Sequence, residues 1–245
     1  MRHAEQDSVI ELGRRGYAGG APPAALRQTG PVTTLTCSAV LFDMDGTLVD
    51  STALVDHTWT VFSAAHGLDA AAVLAYAHGR PTVATLREFL PDHPDHRALF
   101  AELEDAESDS VAGSVEIAGA ADLVRALPAG TWALVTSASR AVARLRLAEI
   151  GLELPDVVVA AEDVTVGKPD PEPYLAAAQA LGVDPADCVV FEDAPAGVRS
   201  GLDAGATVVA VGDAAGPDAA DLVRVPHHRA ARVRVLDDGR LELTL

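Results

Sequence analysis

The stretch Ala39-Val40-Leu41-Phe42-Asp43-Met44-Asp45-Gly46-Thr47 constrains this chain more than any other. Its apolar start, Ala39 to Phe42, reads as a short buried strand. The strand ends in two carboxylates two residues apart, then a glycine and a threonine. Acids at the exit of a buried strand are costly unless something compensates them. For oxygen-only ligands the usual compensation is a divalent cation. In open parallel sheets, ligands sit beyond the carboxyl ends of the strands, where Asp43 and Asp45 are predicted to lie. Alone, the same letters also describe an ordinary Asp-Gly turn.

Three further apolar runs end in polar residues. Trp132-Ala133-Leu134-Val135 runs into Thr136 and Ser137. Val157 to Ala161 is followed by Gly167-Lys168-Pro169-Asp170-Pro171, which presents one lysine in a proline-stiffened turn. Cys188-Val189-Val190-Phe191 runs into Glu192 and Asp193. Together these ends offer a nucleophile, hydroxyl donors, a fixed cation and metal ligands. Phosphoryl transfer needs such a set, because charge on the equatorial oxygens must be neutralised and the phosphorus held in line. Singly, each has a plainer explanation. Lys168 would be a solvated turn lysine, Thr136 and Ser137 a helix N-cap, and Glu192 and Asp193 acids favoured by a helix dipole.

Between the first run and the others the pattern changes. Helices are predicted over Thr52–His66, Ala70–Ala77, Thr82–Leu90 and Asp95–Ala112, with breaks at Gly67, Gly79-Arg80-Pro81 and Pro91-Asp92-His93-Pro94. Residues 51–115 therefore read as an all-helical insertion. After it strands and helices alternate: helix 118–127, strand 131–136, helix 139–150, strand 156–160, helix 171–181, strand 188–192, helix 194–204, strand 207–211. This alternation predicts an α/β fold, a Rossmann-like doubly wound parallel sheet with helices on both faces. The sheet domain would comprise 37–50 and 116–245, and the Gly- and Pro-rich residues 1–36 are expected to be a disordered extension. The tail, Val233–Leu236, Asp237-Asp238-Gly239, Arg240–Leu245, reads as a hairpin. Arg80, in a break between insertion helices, is placed either to reach a phosphate or sugar hydroxyl or to sit exposed in its loop. His93, His96 and the pair His227-His228 read as solvated loop residues, since a zinc site needs three or four ordered ligands.

The four strand-end motifs together resemble the haloacid dehalogenase superfamily, and within it the capped subclass I phosphatases of sugar and polyol phosphates. The resemblance spans about residues 38–212: D-M-D-G-T-L-V-D-S, V-T-S, G-K-P-D-P and F-E-D-A-P-A-G-V are similar to the family's four motifs in order. It implies Asp43 as nucleophile and Asp45 as general acid, then base. It implies that Thr136 and Ser137 contact the phosphoryl group and that Lys168 neutralises phosphate and nucleophile. It implies Mg²⁺ held by Asp43, the Asp45 carbonyl and Asp193, with Glu192 as ligand or one layer behind. Cap loops choose substrates in the family, so Arg80 would bind substrate. A phosphomutase of the β-phosphoglucomutase type shares these motifs, but here Leu54-Val55-Asp56 lacks the histidine expected in that helix and Thr47 stands where valine is usual. A catalytically idle binding protein on the same fold is the third alternative; every catalytic position is intact.

Composition narrows the partners. Eighteen Lys and Arg against 36 Asp and Glu give a net charge of −18, which opposes binding to nucleic-acid backbones and to anionic membranes. The partner is expected to be a small phosphomonoester, with the protein a monomer or homodimer. Cys37 and Cys188 make no disulfide framework. No stretch reaches membrane-spanning length and no signal-peptide core starts the chain, so a cytoplasmic location is expected.

Overall fold

The computed structural model describes residues 32–109 and 111–245. In chain order the elements are β1 (Thr34–Cys37), β2 (Ala39–Phe42), β3 (Val49–Asp50), α1 (Thr52–His66), α2 (Ala70–Ala77), α3 (Thr82–Phe89), α4 (His96–Asp109), β4 (Val115–Glu116), α5 (Ala120–Ala126), β5 (Trp132–Val135), α6 (Arg140–Glu149), β6 (Val157–Val159), α7 (Glu172–Leu181), β7 (Cys188–Glu192), α8 (Pro195–Asp203), β8 (Thr207–Val211), β9 (Val223–Val225), β10 (Arg232–Val235) and β11 (Leu241–Thr244).

Six strands form a parallel sheet in the order β6-β5-β2-β7-β8-β9. From β2 the chain order runs outward in both directions, so β2 is the topological switch point. Such a point opens a crevice at the carboxyl ends of the strands. The central strands are buried along their length, which matches their uninterrupted apolar runs. One face packs Val40, Phe42, Leu134, Phe191 and Leu147; the other packs Leu41, Val135, Val190, Tyr174 and Val198.

The helices between β3 and β4 have a core of their own, with Trp59, Phe62, Val73, Leu86, Leu99 and Leu103 buried together. Local signals set their ends. Gly67 takes the left-handed conformation that closes α1, and the Asp69 carboxylate caps α2 by accepting from the Ala71 N–H. β3 and β4 pair antiparallel where the chain leaves the sheet and returns to it. No helix among the described residues is long and apolar enough to cross a membrane.

The structure departs from expectation at three places. Residues 1–31 of the expected extension lie outside the described residues, but Thr34–Cys37 is a strand, antiparallel to β11. With β10 it makes a separate sheet, β1-β11-β10. Strand β9 extends the parallel sheet at its edge, beyond strand 207–211, the last one expected in that sheet. His228 is buried, not solvated: its ring lies against Phe42 and Phe191, and its Nε2 is 2.8 Å from the Thr47 carbonyl oxygen. A carbonyl only accepts, so Nε2 carries the proton. Burial lowers the imidazole below its usual value, which keeps it neutral.

Candidate active site

The carboxyl end of β2 delivers Asp43 onto a buried ammonium. Lys168 Nζ lies 2.6 Å from Asp43 Oδ1, 2.7 Å from Glu192 Oε1 and 3.0 Å from the Val135 carbonyl oxygen. Three acceptors use all three ammonium protons. Lys168 is 2% exposed. Burial pulls the ammonium down, but Asp43 and Glu192 outweigh it and raise Lys168 above its ordinary value. Glu192 is likewise filled. Its Oε1 also accepts from the Tyr174 hydroxyl, and its Oε2 accepts from the backbone N–H of Asp193 and Ala194. A Cβ on Gly197 would sit 1.5 Å from Glu192 Oε1, so only glycine lets this carboxylate lie against α8.

Asp193 has the opposite character. One of its buried oxygens, Oδ1, meets no hydrogen-bond donor. Asp43, Glu192 and Asp193 each bring an oxygen to within 4.8 Å of one another. Burial, then the neighbouring Asp43 and Glu192 carboxylates, push Asp193 well above the usual carboxylate range. Burial raises Asp43 too, to about 7; Lys168 opposes, while Glu192 and Asp45 add to the rise. Such a crowd of acids is relieved by a cation among them. With the Glu192 oxygens already engaged, Asp43 and Asp193 are the side chains fit to hold a hard divalent ion. The surrounding backbone is shaped for close approach: Gly46 has φ +83°, and a Cβ there would lie 1.9 Å from Asp193 Oδ2.

Asp45 is held from the side. Arg146 Nη1 donates to both of its oxygens at 2.8 Å, and Ser51 Oγ donates to Oδ1. Arg146 is itself 2% exposed, and its Nη2 is 3.6 Å from Glu107 Oε2 on α4. Burial raises the Glu107 carboxyl, with Arg146 opposing.

A cavity of about 80 Å³ opens above these groups. Asp43, Asp45, Asp193, Arg80 and Ser137 line it, together with Val55, Trp59 and Glu107 from the insertion helices and His78 from the loop after α2. Thr136, Lys168 and Glu192 are buried and are not among the lining residues. Thr136 Oγ1 accepts from the Ala138 N–H, so its proton remains to be given. Ser137, expected to face phosphate, lines the cavity, and its hydroxyl donates to the Gly79 carbonyl at 3.1 Å. The Arg80 guanidinium stacks 4.4 Å from the centre of the Tyr76 ring, which steadies it at the cavity wall. His78, on the same wall, pairs with Asp56 at 3.0 Å.

Arg146, Glu107 and Tyr174 were not foreseen as site residues. A signal for the first two was present. The buried face of α6 is Val142, Ala143, Arg146, Leu147, and that of α4 is Leu99, Leu103, Glu107. Each puts one charge on an otherwise apolar stripe at helical spacing.

A family model described as haloacid dehalogenase-like hydrolase matches residues 37–205. Hexitol phosphatase A of Escherichia coli K12 is 47% identical over 179 residues, covering 71% of this chain and 83% of that protein. Glycerol-1-phosphate phosphohydrolase 2 of Saccharomyces cerevisiae is 34% identical over 192 residues, covering 73% and 76%. A solved HAD family hydrolase from Deinococcus radiodurans R1, with bound phosphate and sodium, aligns with a TM-score of 0.54 at 31% identity, covering 77% of this chain and 90% of that one. With its four strand-end motifs gathered at one sheet edge, this chain belongs to the haloacid dehalogenase-like hydrolases.

Proposed function

We propose that this protein is a Mg²⁺-dependent phosphatase that hydrolyses a small sugar or polyol phosphate through an aspartyl-phosphate on Asp43. The observation that carries the reading is the Asp43 carboxylate at the end of β2, 2.6 Å from a buried lysine and beside the acids Asp45 and Asp193. The phosphatases of hexitol and glycerol phosphates among its relatives support the substrate class.

The residues divide the reaction as follows. An Asp43 oxygen attacks phosphorus, the ester P–O bond breaks, and Asp45 gives a proton to the departing oxygen. Asp45 then takes a proton from water, whose oxygen attacks the same phosphorus. The bond to Asp43 breaks and phosphate leaves. Thr136 donates to a phosphoryl oxygen, and Lys168 orients Asp43 and opposes its protonation. Asp43, Asp193 and the Asp45 carbonyl would hold Mg²⁺, which when bound supplies positive charge to the phosphoryl oxygens. Glu192 supports the site from behind by fixing Lys168 and Tyr174.

In this reading 51–115 is a cap over a core of 37–50 and 116–245. The cap wall limits the site to small molecules, and Arg80 contacts the substrate. The buried unpaired thiols Cys37 and Cys188 fit a reducing cytoplasm. Where such mutases are expected to carry a histidine in α1, this chain has Leu54-Val55-Asp56, with Val55 on the cavity wall, which supports hydrolysis over mutase chemistry.

The test is a panel of sugar, polyol and nucleotide monophosphates, with and without Mg²⁺. Phosphate release from sugar or polyol esters only with Mg²⁺ is expected. Glucose 1-phosphate given with a bisphosphate activator should yield free phosphate by ³¹P NMR; glucose 6-phosphate as main product would replace this reading with the mutase.

A further inference from the structure

Arg146 and Glu107 are two buried charges that the reaction above does not use. Both line the cavity, and they come from different layers. Arg146 stands on α6 of the sheet domain and Glu107 near the end of α4 in the helical insertion. The guanidinium reaches across 101 positions of sequence to Asp45 and places one nitrogen 2.8 Å from each carboxylate oxygen. Glu107 meets the other terminal nitrogen at 3.6 Å.

Stability alone is a poor reason for such a cluster. A buried ion pair loses in desolvation much of what it gains by attraction, and apolar residues of similar size often serve as well. A rigid planar fork does offer geometry. Asp45 sits in the short loop after β2 and is 28% exposed at its side chain. It needs a fixed place if it is to meet the leaving oxygen within hydrogen-bond reach. Ser51 holds Oδ1 from the start of the insertion, and Arg146 holds both oxygens from α6.

We propose that Arg146 is a positioning residue for the acid–base carboxylate of Asp45, and that Glu107 fixes the guanidinium from the insertion side. Asp45 then takes its working place when α4 is seated on α6. This inference rests on the phosphatase reading of the same site.

Leaving-group dependence separates positioning from mere support. p-Nitrophenolate departs without a proton, whereas a polyol alkoxide needs one. The ratio kcat/KM reports events up to transfer of phosphate to Asp43, so it isolates the step in which Asp45 acts as acid. Sorbitol 6-phosphate and p-nitrophenyl phosphate would be compared in Arg146→Met, Arg146→Lys and Glu107→Gln. Arg146→Met should lose about 100-fold or more on the sorbitol ester, the scale of general acid catalysis, and less than about 5-fold on the aryl ester. Arg146→Lys should restore part of the loss, and Glu107→Gln should show the same selective pattern more weakly. If Arg146→Met prevents folding, the double variant Arg146→Met/Glu107→Gln, which removes a second buried charge, carries the same expectation. Equal losses on both esters, or none, in folded variants would overturn the inference alone. Wild-type protein that frees no phosphate from either ester in Mg²⁺ would overturn the phosphatase reading, and this inference with it.

Discussion

The Ser137 hydroxyl donates to the carbonyl of Gly79, 58 positions earlier in the chain, at 3.1 Å. It ties the end of β5 to the loop between α2 and α3, the loop that carries His78 and Arg80. The same loop presses on the sheet domain elsewhere. A Cβ on Gly79 would lie 2.6 Å from the Ala194 Cβ, and one on Gly167 would lie 2.1 Å from the Pro81 ring. The helices are thus seated on the strand ends by backbone contact as well as by side chains.

Gly79→Ala should lift this loop. Gly79 has φ +73°, a conformation that costs a non-glycine residue about 1–2 kcal/mol, and the added methyl meets Ala194. KM for the preferred ester should rise about 10-fold, the equivalent of 1.4 kcal/mol, with circular dichroism unchanged. Ser137→Ala should move KM in the same direction by less. Kinetics identical to wild type in both variants would show that loop seating is irrelevant to binding.

Substitutions at the Asp43–Lys168 pair should separate chemistry from stability. Asp43→Asn should fold and show no measurable turnover, because an amide does not attack phosphorus. Lys168→Met strands two buried carboxylates, Asp43 and Glu192, and should cost about 3–5 kcal/mol of stability, as breaking one side of a buried pair does. Urea unfolding and a phosphate-release assay on each variant decide the matter. A folded Asp43→Asn protein with normal turnover would exclude the covalent route.

The pH dependence follows from Asp43 and Asp193. The Asp43 carboxyl rises from 3.8 to about 7 in the folded protein, and Asp193 rises as well. The folded state therefore binds these protons more tightly than the unfolded chain. In chelator, the Asp43 contribution is fully present below about pH 4 and is lost as pH rises through about 7, and Asp193 acts in the same direction. Mg²⁺ needs the ionised carboxylates, so its stabilising effect should grow over the same window. Melting curves with EDTA and with Mg²⁺ should differ little at pH 5 and clearly at pH 8. A Mg²⁺-induced shift in Tm that is the same at both pH values would place the ion elsewhere.

Arg80→Ala should act on the substrate's polyol part. The guanidinium lines the cavity and is braced on Tyr76. kcat/KM for a sugar or polyol phosphate should fall about 10-fold or more, the cost of unpairing groups built to bind a hydroxyl. p-Nitrophenyl phosphate should be little affected. Equal losses on the two esters would confine Arg80 to phosphate binding or to the shape of its loop.

Much of this arrangement was legible because it is local. Uninterrupted apolar runs marked β2, β5 and β7, and the polar residue after each had to emerge at the same sheet edge once the strands were parallel. Helices α1 and α2 fall at their expected bounds because Gly67 and Asp69 mark their ends within a few residues. Other features needed partners from far along the chain. β1 exists because Thr34–Cys37 meets β11, and nothing near Thr34 announces that pairing. His228 is buried because Phe42, Phe191 and the Thr47 carbonyl surround it, although its neighbours in sequence are polar. Glu192 and Asp193 are adjacent acids that look alike in one dimension. Successive residues leaving a strand point to opposite sides, so Glu192 turns inward to Lys168 and Tyr174 while Asp193 remains facing the cavity. The charges of Arg146 and Glu107 stood out on apolar helical stripes, but only the packing of α4 against α6 brings them to each other and to Asp45, because a buried charge takes its role from whatever three-dimensional neighbour can neutralise it.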